Sequence, residues 1–160
     1  MKELPRSVKI ATVWLVLGTV LFLAVQAFLA AGRQTSWLIE GSGLVLQRQG
    51  DGHFHWPGRV NGKTLEFLVD TGATRTALPG PLAEQLGLEP ERAVQSATAG
   101  GIATGYEARV DLVLEGGIAI QRLRVTVLPD LRSPLLGMDV LGRLRFTQQD
   151  GRLTFEGPSR

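Results

Sequence analysis

Asp70 stands out because it directly follows an apolar segment that has the character of a buried strand. Residues 67–69 are Phe, Leu and Val, and Thr71 and Gly72 come next. A carboxylate at the end of a buried strand loses solvation, and proteins keep such acids mainly for function or for a specific partner. Gly72 permits a sharp turn, and the hydroxyl of Thr71 can hold it. Asp70 is therefore a candidate catalytic acid; the alternative is a structural acid that accepts backbone hydrogen bonds.

The other titratable residues indicate chemistry less directly. His53 and His55 lie two apart on one face of a predicted strand, but no third metal ligand follows nearby, so solvent-facing or packed histidines are favoured over a metal pair. Asp139 is a possible second acid of the site, but its position at the start of a predicted short helix favours a capping or first-turn role. Asp111 alternates with apolar neighbours and is expected to be an exposed strand residue.

Composition excludes several classes of function. The chain has no cysteine, which excludes disulfides, thiolate nucleophiles and cysteine-based zinc sites. Its formal net charge is only +2 and it has no run of five or six like charges, so we expect no nucleic-acid partner. The 20 glycines and 8 prolines are spread along the chain, which favours many short strands over a few long helices.

The elements that must position Asp70 are predicted to be short strands. Strands are expected at 44–46 and 53–60, and Asn61-Gly62 is a hairpin signal that leads into the strand ending at residue 69. Residues 79–87 predict a helix, with Pro81 in its opening turn and Gly87 just past its end.

The second half shows the same pattern. Apolar residues alternate over 108–114 and return over 118–127 after Gly116-Gly117, with a phase slip at 122–123 that indicates a bulge. A short helix is expected at 138–143 and a last hairpin at Asp150-Gly151. No alternation of strands and helices occurs, so we predict an all-β domain, a small closed barrel or sandwich with one or two short helices.

Residues 10–32 are predicted to form a transmembrane helix, because they are uncharged and long enough to cross a bilayer. Basic residues precede this segment, which predicts a cytoplasmic N-terminus at 1–9 and an exported domain at 44–160, joined by a linker at 33–43. In a bacterium this domain would lie in the periplasm, attached to the inner membrane. A cleaved signal peptide is the alternative, although the apolar run is longer than a usual signal core.

The sequence around Asp70 resembles the active-site loop of the retropepsin-like aspartic proteases. A second segment resembles the family's two apolar residues and glycine that pack behind that loop. The order of loop, helix, flap hairpin, paired strands, short helix and final strand also matches, over roughly residues 44–156, and the N-terminal segment resembles the bacterial membrane-anchored branch. The residues that carry the resemblance are Phe67-Leu68-Val69-Asp70-Thr71-Gly72-Ala73-Thr74 and Leu135-Leu136-Gly137.

The resemblance implies an aspartic endopeptidase of the retropepsin-like barrel fold that acts on polypeptides without a metal or cofactor. Two facing carboxylates would share one proton, one acting as base on a water and the other as acid towards the scissile carbonyl. This chain has a single Asp-Thr-Gly and is too short for two lobes. The second carboxylate is therefore expected from Asp70 of another copy, in a homodimer.

The resemblance also implies a flap, a hairpin that closes over the substrate. The segment 97–105 occupies its position, and glycine would permit a mobile tip. An ordinary flexible loop is the alternative. The expected flap and substrate-binding residues are Thr98, Ala99, Gly100, Gly101 and Ile102.

Two functions compete with proteolysis. A non-catalytic module of the same fold could bind extended peptides by strand addition. A self-associating structural domain is the third reading. The intact Asp-Thr-Gly favours the enzyme, because a binding module has no need to keep Asp70.

Overall fold

The computed structural model describes residues 6–31, 37–40, 43–98 and 100–156. The chain divides into two compact units, Met1–Gln34 and Thr35–Arg160. The first unit contains helix α1, Arg6–Ala31. Within the described residues, no helix combines the length and the apolar character that a bilayer span requires, so the predicted transmembrane helix at 10–32 is not confirmed.

The second unit is built almost entirely of strands. Four residues of the segment expected to be a linker form its first strand. In chain order its elements are β1 (Trp37–Glu40), β2 (Gly43–Gln47), β3 (His55–Val60), β4 (Lys63–Val69), β5 (Ala77–Pro79), α2 (Gly80–Gln85), β6 (Arg92–Thr98), β7 (Gly101–Leu114), β8 (Ile118–Leu128), β9 (Leu135–Leu136), α3 (Met138–Leu141), β10 (Phe146–Gln149) and β11 (Arg152–Phe155).

The strands form two sheets, one of which closes on itself. The smaller sheet has the order β1-β2-β11-β10, and the larger has the order β3-β4-β9-β5-β8-β7-β6. An additional pairing of β3 with β7 closes the larger sheet into a barrel and leaves β6 outside the ring. The predicted all-β barrel with short helices is thereby confirmed.

The hairpins lie where turn residues predicted them. Asn61 and Gly62 have φ values of 49° and 84°, and Asp150 and Gly151 have 48° and 73°. Glycine adopts positive φ without strain, and asparagine and aspartate tolerate it better than other residues. These turns fix the register of β3 with β4 and of β10 with β11.

A β-bulge interrupts the long pairing of β7 with β8. Val110 faces Leu123 and Leu112 faces Ile120, so one residue of β7 lies opposite two of β8. Arg122 has a φ of 51° at this point, and its amide donates to Asp111 Oδ1 at 2.8 Å. Asp111 is exposed, as expected, and it also holds the predicted bulge in place.

The core joins the two sheets through aromatic packing. Trp56 of β3 is fully buried, and its ring lies 4.2 Å from that of Phe155 in β11. Its indole N–H donates to the Glu115 carbonyl at 2.8 Å, so the buried polar atom is satisfied. The inward residues of β7 are all buried, as the alternation predicted: Ala108, Val110, Leu112 and Leu114.

Strand β7 has two parts with different support. From Tyr106 onward it pairs with β8, whereas residues 101–105 pair only with β6. Gly105 marks the boundary, and a Cβ there would overlap the Val127 carbonyl oxygen. The β6–β7 hairpin therefore projects beyond the barrel wall from this point.

Candidate active site

Asp70 lies in a tight turn directly after β4. Its amide donates to the Leu136 carbonyl at 3.0 Å, and its own carbonyl accepts from the Ala73 amide at 3.3 Å. The Gly72 amide donates to Asp70 Oδ1 at 2.9 Å. Asp70 is half-buried, and Oδ2 has no hydrogen-bond partner within the described residues. The turn thus holds one carboxylate oxygen and leaves the other available.

The turn is held differently from the sequence expectation. The hydroxyl of Thr71 makes no hydrogen bond within the described part of the chain, and the side chain is exposed. The Gly72 amide provides that support, and a Cβ on Gly72 would approach Asp70 Oδ1 to 3.2 Å. Glycine is needed at this position because the backbone lies against the carboxylate.

The apolar-apolar-glycine segment lies behind the loop. Strand β9 runs parallel to the end of β4, with Leu68 opposite Leu135 and Val69 opposite Leu136. A Cβ on Gly137 would lie 2.6 Å from the Arg75 carbonyl oxygen and 2.8 Å from the Thr76 amide. The two chain segments therefore pack at backbone distance.

Further backbone bonds join α3 to the loop. The Met138 amide donates to the Ala73 carbonyl at 2.8 Å, and the Asp139 amide donates to the Thr74 carbonyl at 3.1 Å. The start of α3 is thus attached to the loop that carries Asp70.

Asp139 has a role that the sequence did not indicate. It lies in the first turn of α3, as expected, but it does not cap that helix. Its Oδ1 accepts from the amide and the hydroxyl of Thr76, at 2.9 and 2.8 Å. Thr76 is buried, and its hydroxyl oxygen in turn accepts from the Gly137 amide at 3.3 Å. Asp139 therefore fixes the far end of the Asp70 loop.

A cleft of about 810 Å³ opens in front of this loop. That volume falls in the range of ligand-binding clefts. The loop forms one side and β6 another. Its lining includes these predicted site residues: Asp70, Gly72, Ala73, Thr74, Thr98 and Leu135.

The predicted flap is a hairpin, of which only part faces the cleft. Thr98 pairs with Gly101 across the turn, and its hydroxyl donates to the Gly101 carbonyl at 2.8 Å. Gly100, Gly101 and Ile102 are exposed and do not line the cleft, and Ile102 is 76% exposed. Ala99 lies outside the described residues.

Glu107 is the cleft residue that sequence reasoning missed. Its side chain is only 5% exposed, and three arginines from separate elements approach it. Arg75 Nη1 lies 2.6 Å from Oε1, while Arg92 Nη2 and Arg124 Nε lie 3.1 and 3.8 Å from Oε2. Burial by itself would raise the pKa of Glu107, but the hydrogen bond and charge of Arg92, with the charges of Arg124 and Arg75, hold the pKa below its ordinary value.

The histidine pair is engaged in the local structure. His55 Nε2 lies 2.8 Å from Asp51 Oδ2, and Nδ1 lies 3.6 Å from Glu66 Oε2. The His53 amide donates to Asp51 Oδ1 at 2.9 Å. That backbone bond first, and the His55 ring second, lower the pKa of Asp51. Among the residues the structure describes, no group of three or more potential ligands could hold a metal ion.

Comparison with known proteins identifies similar chains. A family model described as "gag-polyprotein putative aspartyl protease" matches residues 56–143. The chain is 36% identical over 110 residues to the "Uncharacterized protein in cobV 5'region" of Sinorhizobium sp, covering 66% of this chain and 47% of that protein. It is 31% identical over 113 residues to the "Uncharacterized protein RP867" of Rickettsia prowazekii (strain Madrid E), covering 68% of this chain and 48% of that protein. The chain therefore spans about half the length of the curated relatives it matches.

A solved structure matches the barrel. The crystal structure of a retropepsin-like aspartic protease from Rickettsia conorii aligns with a TM-score of 0.59 and 29% identity, over 72% of this chain and 99% of that chain. The retropepsin-like form of the predicted fold is thereby confirmed.

Replacing Gly137 with alanine tests the close packing behind the loop. The φ of Gly137 is −93°, which alanine adopts freely, so the cost comes from the overlap with Arg75 and Thr76. We expect Gly137→Ala to lower the free energy of unfolding by about 1–3 kcal/mol, as overpacking does. Urea unfolding followed by tryptophan fluorescence measures this. The matched control is Gly50→Ala, where a Cβ would meet nothing within 4 Å, and equal stability of both variants would contradict the packing argument.

Replacing Glu107 with glutamine tests the arginine cluster through pH. A lowered pKa means that the ionised carboxylate stabilises the folded chain above the ordinary value of 4.5, and that this contribution is lost as pH falls through the folded-state value. We expect Glu107→Gln to unfold at lower urea concentration than the parent at pH 7, and the difference to shrink in acid. Urea midpoints from pH 3 to 8 give the comparison. Glu84→Gln, at an exposed helix position, is the control, and a pH-independent difference for Glu107→Gln would refute the assignment.

Proposed function

Because the chain belongs to the retropepsin-like aspartic protease family, we propose that it is an aspartic endopeptidase that works as a homodimer. The catalytic groups are two Asp70 carboxylates, one from each copy. The observation that carries this proposal is the position of Asp70, which lines the cleft with Oδ1 held by the Gly72 amide and Oδ2 without a partner in the described chain.

The proposed reaction needs two carboxylates in different protonation states. At close distance both cannot ionise, so the pair shares one proton and titrates as a unit. The ionised member takes a proton from a water, which attacks the scissile carbonyl carbon. The protonated member gives its proton to the carbonyl oxygen. The first carboxylate then passes the proton that it took from water to the amine nitrogen as the C–N bond breaks, while the second takes a proton back from a hydroxyl of the tetrahedral intermediate.

The charges in the cleft support a second copy as the source of the second acid. Glu107 is the only other carboxylate that lines the cleft within the described residues. It is held ionised between arginines, so it is poorly suited to donate a proton. A twofold axis beside the Asp70 loop would supply the missing group from an identical loop.

The cleft suits an extended polypeptide. Strand β6 forms one side of the cleft and is the terminal strand of its sheet, paired with β7. An extended peptide can add to such an edge through main-chain hydrogen bonds, which hold it against the cleft without demanding one sequence. The same edge would also serve a catalytically inactive peptide-binding module, which is the second candidate function.

Asp70→Asn separates the enzyme from the binding module. Asparagine keeps the size and the acceptor oxygen but cannot take up or give a proton as a carboxylate does. We expect peptide cleavage to fall by at least about 10²–10⁴-fold, the usual contribution of acid–base catalysis, with the dimer retained in sedimentation analysis. Cleavage that survives in this variant would exclude the mechanism, and binding without cleavage by the parent chain would favour the module.

Mixing experiments test whether two copies share one site. Adding excess Asp70→Asn protein to the parent chain should lower activity per parent chain, because mixed dimers contain one carboxylate. Asp150→Asn is the matched control, since it makes the same chemical change in a distant hairpin turn. The Asp150→Asn protein keeps Asp70 and should not lower activity; if excess Asp70→Asn protein also leaves the activity of the parent chain unchanged, each copy works alone.

We also propose, from the sequence, that residues 10–32 anchor the chain and place the 44–160 domain in the periplasm of a bacterium. The support is the uncharged apolar run preceded by basic residues. Two anchored copies would have a raised effective concentration for dimerisation. The full chain should stay in the membrane fraction after alkaline carbonate extraction, and a chain lacking residues 1–32 should not. Release of both chains would refute the anchor.

A further inference from the structure

The cleft contains more positive charge than its buried acid requires. Arg75 and Arg92 line the cleft beside Asp70, and both contact Glu107. Arg124 approaches the same carboxylate from β8. One carboxylate thus faces three guanidinium groups, which leaves an excess of two formal positive charges around it.

These arginines keep donors that a ligand could use. A guanidinium group has five N–H donors. Within the described residues, Arg75 contacts Glu107 only through Nη1, and Arg92 does so only through Nη2. Their side chains are 44% and 65% exposed, and both line the cleft, so a ligand in the cleft can reach them.

The basic surface continues beyond the cleft. Thr74 and Arg75 also line a neighbouring hollow of about 470 Å³, together with Arg109, Arg122, Arg124 and Arg143. The acid in its lining is Asp139, whose Oδ1 is engaged by Thr76. Arg109 is paired with Glu91 at 3.0 Å, while Arg122 and Arg143 make no ion pair within the described chain. A peptide that extends from the cleft past Arg75 would therefore remain in contact with a positively charged surface.

From these contacts we infer that the enzyme selects substrates with an acidic side chain placed to reach Arg75 and Arg92 while the peptide backbone lies against Asp70. This inference rests on the proposed function and names its substrate class. A glutamate or aspartate carboxylate accepts paired hydrogen bonds from a guanidinium group, and such charge-assisted bonds are stronger than neutral ones. A lysine or arginine at the same place would be repelled by the net positive charge that the three arginines leave around Glu107.

Glu107 acts in this arrangement as a positioning residue. It fixes the two guanidinium groups from the buried side and leaves their outer donors for the substrate. The alternative to substrate selection is a purely structural role, in which all three arginines serve only to stabilise Glu107 in the fold.

The test is a set of peptides that differ at one position. In a peptide that the parent chain cleaves, each of the four residues on either side of the scissile bond is replaced in turn by Glu, Gln or Lys. At one position or more we expect kcat/KM to be about tenfold higher for Glu than for Gln, and lowest for Lys. The preference should weaken as salt is raised, because ions screen the attraction.

Variants then assign the preference to the arginines. In Arg75→Gln and Arg92→Gln the ratio of Glu to Gln cleavage should fall to within about twofold, and this ratio, not the absolute rate on either peptide, is the readout. Loss of a structural ion pair would instead lower cleavage of both peptides together. Arg59→Gln, at an exposed position of β3, should keep the parent ratio.

Binding to the Asp70→Asn protein separates this inference from the proposed function. Fluorescence anisotropy with an extended eight-residue peptide that carries Glu or Gln at each position in turn reads selectivity without chemistry and needs no cleaved peptide. Tighter binding of the Glu peptide, lost in Arg75→Gln, supports the inference even if the parent chain cleaves nothing, which would sink only the protease proposal. Equal affinity for Glu and Gln peptides, or no binding at all, overturns the inference.

Discussion

The contact on which the site depends is the close packing of Gly137 against the backbone of Arg75 and Thr76. A single methyl group at residue 137 would have to occupy the space of the Arg75 carbonyl and the Thr76 amide. Because Gly137 has no side chain, the two backbones can approach this closely. Strand β9 can then lie beside β4, where the Leu136 carbonyl accepts a hydrogen bond from the Asp70 amide. The carboxylate is therefore positioned by main-chain atoms, which have far less freedom than side chains.

Electrostatics adds a second constraint that joins distant segments. Arg75 belongs to the Asp70 loop, Arg92 to β6 and Arg124 to β8, and Glu107 in β7 contacts all three. The loop and the base of the projecting hairpin are thus held to one buried acid. Without the ionised Glu107 carboxylate the three guanidinium groups would repel one another and move apart. The ionisation of Glu107 and the shape of the cleft are therefore coupled.

The parts of this fold that could be predicted are those specified by neighbouring residues. Asn61-Gly62 and Asp150-Gly151 require positive φ locally, and the alternation over 108–114 identifies the buried face of β7 without further information. The Asp70 turn was predictable for the same reason. The sequence does not show which donor holds this turn, because the Thr71 hydroxyl and the Gly72 amide are both close to Asp70 in the chain. The structure shows that it is the Gly72 amide.

The rest depends on contacts between residues far apart in the chain. Three such contacts join segments whose sequences do not indicate which segment they pair with. They are the parallel pairing of β4 with β9, the Asp139–Thr76 hydrogen bonds and the arginine cluster around Glu107. The polar composition of 33–43, with its glycine and serine residues, favours a linker, whereas Trp37–Glu40 pairs with β2 as a strand; four residues are too few to show a strand pattern in the sequence.

The two-part support of β7 has a mechanical consequence. Residues 101–105 of β7 pair with β6 but with no strand of the barrel, so the hairpin behaves as a beam that is fixed only at its base. The deflection of such a beam grows steeply with its free length and is greatest at the tip, where Ile102 is exposed. Lengthening or shortening the hairpin by a few residues would therefore change how far its tip can move, while the supported part of β7 from Tyr106 onward and the Asp70 loop stay in place. Evolution could adjust access to the cleft by this length alone.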